Sequence, residues 1–65
     1  MSLDVLFRLE RRDGTPYDPP TITAAYLNWK PGDPIFLGRG RTLRVVETRL
    51  PAEPDGPPVL VVEPD

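Results

Sequence analysis

Gly38-Arg39-Gly40-Arg41, followed by Arg44, is the densest cluster of chemically capable side chains in the 65-residue sequence. Glycine on both sides of Arg39 allows the backbone to gather N–H groups toward one point, where two guanidinium forks can grip an anion. Extended by Arg44, the cluster would form a phosphate-binding strip, with Tyr26 or Trp29 stacking on bases. The simpler reading is a hairpin loop whose glycines accept positive φ and whose arginines are solvated. It is not a phosphate loop of the nucleotide-binding kind, because no Gly-Lys-Ser/Thr ending and no helix pattern follow. A net charge of -2 also argues against a generic nucleic-acid binder, whose affinity rests on excess Lys and Arg.

Other chemistry is scarce. The chain has no histidine and no cysteine, which removes the commonest general base, the strongest nucleophile and any ordinary structural zinc site. Ser2 is the only serine. The ten acidic residues include no pair spaced on one rigid element for acid/base work. Asp33, within Pro31-Gly32-Asp33, reads as a side chain capping local backbone N–H groups, and Asp13, Asp18 and Asp55 read as turn residues. The expectation is a protein that is not an enzyme and needs neither cofactor nor metal.

Size narrows the architecture. A chain this short buries only about 60% of its unfolded surface, and without disulfide or metal it must rely on rigid loops or self-association. Ten prolines supply rigidity, because proline lowers unfolded-state entropy where its fixed φ suits the turn. No apolar run reaches membrane-spanning length, and the N-terminus lacks a basic region followed by an apolar core. A cytoplasmic protein is expected, without membrane association. Arginine outnumbers lysine seven to one, a skew that fits a GC-rich bacterial genome and dilutes the meaning of any single arginine.

The elements that must position these residues are strands. Leu3, Val5, Phe7 and Leu9 alternate with polar residues, Leu6 being the exception on the polar face. Asp13-Gly14 ends this strand, and Pro16, Pro19 and Pro20 predict an extended surface loop from Arg12 to Pro20. Residues 21–29 fit a strand, or a helix with Ile22, Ala25, Tyr26 and Trp29 on one stripe; the early β-branched residues favour strand. Pro31-Gly32 suits a type II turn. Ile35, Phe36 and Leu37 form a short strand, and residues 42–50 form the longest one, with Leu43, Val45 and Glu47 on one face. After a proline-rich turn around Asp55-Gly56, residues 59–62 are apolar on both faces. The predicted strands are 3–11, 21–28, 34–37, 42–50 and 58–63. Together they give an all-β single domain, a small five-stranded barrel or strongly twisted sheet with at most one helical turn. The predicted core is Val5, Phe7, Leu9, Ile35, Leu43, Val45, Leu60 and Val62, with Trp29 at its edge and Tyr17 exposed.

Pro31-Gly32-Asp33-x-Ile35, running through Gly38 into a strand, resembles small Src-homology-three-like barrels, and within them the ribosome- and transcription-associated KOW modules. Gly40 is followed by Arg41 and Thr42 where those modules carry an apolar strand residue. The chain is also similar to short proteins of GC-rich bacteria with a W-x-P-G-D-x-I … L-R-V-V core, a resemblance that implies a compact β-domain and no activity.

Two further expectations concern partners. Residues 38–50 place Arg39, Arg41, Arg44 and Arg49 against Glu47, whereas residues 51–65 carry four acids and no base. Antiparallel pairing would match these charges within one chain; meeting between chains, they would favour a weak homodimer over Val59 and Val61, with the first or last strand at a sheet edge. The leading functional expectation is an interaction module for a protein partner. A nucleic-acid-binding barrel using Arg39, Arg41 and Arg44 is the alternative, and a structural subunit of a larger assembly the third.

Overall fold

The computed structural model describes residues 4–25, 28–51 and 53–65. Five strands, β1 (Val5–Glu10), β2 (Pro16–Ala24), β3 (Pro34–Gly38), β4 (Arg41–Arg49) and β5 (Val59–Pro64), form one sheet in the order β2-β1-β5-β4-β3. The sheet curls into a half-barrel over its own apolar face. No helix occurs among the described residues, so the strand alternative holds for residues 21–24. Tyr26 and Leu27 lie outside the described residues.

β1 and β5 run parallel, with Leu9 opposite Leu60; the other neighbours are antiparallel. This corrects the placing of the first or last strand at an edge: both are interior, and β2 and β3 are the edges. The reason lies in β5. A strand apolar on both faces gains most when neighbours flank it on either side.

The expected loop from Arg12 to Pro20 is also corrected, because β2 begins at Pro16 and ends at Ala24. Its ladder with β1 passes from Glu10↔Pro16 directly to Arg8↔Thr21. Residues 17–20 therefore bulge out of register, and Pro19 and Pro20 have no ladder bond to donate. The Asp18-Pro19 peptide is cis. Tyr17, expected to be exposed, is half-buried against the core, with the Arg11 guanidinium 5.0 Å from its ring centroid.

Phe7, Leu9, Ile35, Leu43, Val45, Leu60 and Val62 form the buried cluster, as the alternation predicts; Val5 packs against it while only half-buried. In β4 a bulge between Val45 and Glu47 shifts the register, so that Val45 faces Val62 and Glu47 faces Val61. Glu47 thus leaves the face it was expected to share with Leu43 and Val45.

The outer face of β5 is buried too, Val59 at 6% and Val61 at 0% exposure. Val61 lies between Glu10 and Glu47, and Val59 between Arg8 and Arg49. Long charged side chains cover apolar surface with their stems. Ion pairs of Arg49 with Glu47 and of Arg12 with Glu63, the latter at 3.1 Å, tie that layer together. One chain therefore buries both faces of β5, and the argument that these valines require a second copy falls.

Candidate functional site

The arginine loop is explained by its turn. Gly38 pairs with Arg41, leaving Arg39 and Gly40 as a two-residue connection with φ of 54° and 77°. Two positive φ values define a type I′ turn, whose twist suits a hairpin. Arg39 stands exposed at its tip. Arg41 donates to the Asp18 carbonyl at 3.1 Å, which joins the start of β4 to the distant edge strand β2. Arg44 pairs with Asp65 at 2.7 Å, as the charge skew between β4 and the final segment anticipates. The three arginines do not converge on one site.

Trp29 is half-buried against the core and meets Phe7 edge-on, with ring centroids 6.4 Å apart and planes at 87°. The turn that follows holds it in place. Asp33 N–H donates to the Lys30 carbonyl at 3.0 Å, and Gly32 has φ of 95°, as a type II turn requires. The Asp33 carboxylate accepts the Lys30 N–H at 2.9 Å, which is the capping role read from its position. Gly32 N–H to the Val45 carbonyl and Val45 N–H to the Asp33 carbonyl lock this turn onto β4. Tyr26, the other aromatic candidate, lies outside the described residues.

Trp29 also lines a groove of about 640 Å³ between the two sheet edges. Leu6 of β1, residues 21–24 of β2 and residues 34–37 of β3 complete the described lining, and none of them is charged. Leu6 is 46% exposed and Phe36 77% exposed. Neither was singled out as a site residue from the sequence, although both carried a signal. Leu6 is the apolar intruder on a polar face, and Phe36 is out of phase with the buried Ile35 beside it.

A second cavity of about 320 Å³ lies where Arg8, Glu10, Arg49 and Val59 meet Leu50, Pro51, Glu53, Gly56 and Pro57. Its two arginines face two glutamates, and Arg49 is already paired with Glu47, so it has no single-sign field for an ion. Among the described residues no three His, Cys, Asp or Glu side chains cluster as metal ligands do. Nor is there among them a helix long and apolar enough to cross a membrane. No protein-family model, curated protein or solved structure matches the chain.

Proposed function

We propose that the chain is a non-catalytic protein-interaction module whose binding surface is the groove between β2 and β3. The observation that carries this reading is Phe36, a large aromatic residue left mostly exposed beside an uncharged groove. Aromatic side chains concentrate binding energy in interfaces, and Trp29 and Leu6 extend the apolar surface around it. The nucleic-acid alternative is weaker, because Arg41 and Arg44 are engaged within the chain and Arg39 is left alone at a hairpin tip.

The test screens the native chain and Phe36→Glu in parallel against one display library of random peptides. Clones enriched on the native chain and lost on Phe36→Glu support the reading. Equal enrichment on both baits, or none on either, overturns it. A mobility shift with single-stranded RNA or DNA that fades with added salt and is lost in Arg39→Ala transfers the function to the alternative.

A further inference from the structure

We infer that the groove takes its partner as an extended strand, a guest sixth strand lying between β2 and β3 that continues the open half-barrel. The inference rests on the interaction-module reading and gives that partner a chemistry: an unfolded segment with uncharged, alternating apolar side chains. Three observations lead to it.

The first is backbone direction. Arg8 N–H donates to the Pro58 carbonyl, on the β5 side of β1. Backbone groups alternate along a strand, so Val5 and Phe7 bond across to Ala24 and Ile22, and Thr21 and Thr23 turn theirs outward. On the opposite edge Val45 N–H donates to the Asp33 carbonyl, which by the same alternation assigns Ile35 to β4 and turns Phe36 outward. All three outward-turned residues line the groove.

The second is where proline is absent. Edge strands template further pairing, and proline is one device that prevents it. β2 carries Pro16, Pro19 and Pro20 in its first five residues, and β3 begins with Pro34. The proline-free windows are 21–24 and 35–37, and these border the groove. Pro34 is the one edge proline that lines the groove, and it opens β3; the prolines of β2 all lie outside the lining.

The third selects the occupant. With no charge in the described lining, a charged peptide would lose hydration without gaining a counter-charge. A second folded copy fits poorly, because its only free edges are the same two strands, set along a concave groove of its own; a two-fold contact needs a self-complementary surface. An extended segment can enter, place alternate side chains over Ile22, Ile35 and Trp29, and present the others to Leu6 and Phe36. Strand addition of this kind draws affinity from main-chain bonds and specificity from alternate pockets.

The probe is a capped peptide of alternating valine and threonine with a lysine at each end, titrated into isotope-labelled protein and followed by amide NMR and hydrogen exchange. Strand completion predicts protection at Thr21, Thr23 and Phe36, loss of at least tenfold in affinity when alternate peptide nitrogens are methylated, and a similar loss in Thr23→Pro. That variant removes an outward N–H and leaves the pairing of Ile22 and Ala24 with β1 in place, so its amide spectrum should stay dispersed. Shifts at the groove that survive N-methylation, or protection on one edge alone, overturn the strand and leave the interaction groove standing. Absence of any shift at millimolar probe overturns the strand, while the display screen judges the groove separately. The same shifts appearing without probe as protein concentration rises, together with dimeric sedimentation, would identify the occupant as a second copy and overturn the inference.

Discussion

Asp13 shows how much one exposed carboxylate can organise. It accepts the Thr15 hydroxyl at 2.7 Å and the Thr15 N–H at 3.0 Å, closing the turn between β1 and β2. The hydroxyl first, and the N–H second, favour its charged form and hold its pKa below the ordinary aspartate value. A depressed native pKa means that the turn's contribution is present at neutral pH and is lost as pH falls through that pKa. In Thr15→Val the Asp13 midpoint, followed by carboxyl-carbon NMR, should move up; an unchanged midpoint would remove the hydroxyl from the account. Gly32 offers a second residue-level test. Its φ of 95° lies where side chains are strained, so Gly32→Ala should lower stability by about 1–3 kcal/mol in denaturant unfolding, although no atom lies near the added methyl. Both turns were legible because Asp-Gly and Pro-Gly dictate local geometry. The Asp18 carbonyl as partner of Arg41 was not, since it lies far away in sequence and meets Arg41 only through the sheet order; for Arg44 the charge skew pointed to the acidic final segment but not to Asp65 itself.

At the scale of elements, alternation identified β1 and β4 and the apolar run identified β5, while β2 was misplaced at both ends. Proline content argued against a strand there, and the argument fails on an edge where a bulge removes those residues from the ladder. Likewise the one-residue bulge after Val45 inverted the expected face of Glu47, because a period-2 pattern cannot show where the period slips. Groove residues were hidden for a related reason: Leu6 and Phe36 matter only because two edges lie side by side, and pairing order is a non-local property. The charged layer over β5 makes its own prediction. Val61→Ala removes two methyl groups from a fully buried outer-face position and should lower stability by about 2 kcal/mol, measured by urea unfolding. A change below about 0.5 kcal/mol would show that the Glu10 and Glu47 stems close over the space.

Across the whole molecule, the small core leaves little reserve. Phe7 contacts Trp29 and sits at 3% exposure, so Phe7→Ala should cost about 3–5 kcal/mol. A domain of this size has stability of similar magnitude, and the variant should lose its dispersed amide spectrum; a folded Phe7→Ala protein would show the inward face of β1 to be less critical than its burial indicates. Phe36→Glu, by contrast, should unfold within about 0.5 kcal/mol of the native chain, because its side chain is mostly exposed. The difference between two phenylalanines of one chain would separate a folding role from the recognition role proposed for Phe36.

The position of β5 between β1 and β4 divides the molecule in an unusual place. The β1–β2 hairpin and the β3–β4 hairpin belong to one sheet only through those six residues, Val59–Pro64, and the connection from β4 to β5 is a surface turn. The fold is therefore separable into two pieces that should remain largely unstructured apart and assemble on mixing. A fragment ending at residue 54 and a peptide of residues 55–65 should regain the native amide spectrum together, with Leu60→Asp in the peptide abolishing it. Read this way, the strand at the centre of the sheet behaves as a ligand of the rest of the chain, and its affinity measures what it adds to the direct tie between the hairpins, the Arg41 bond to the Asp18 carbonyl.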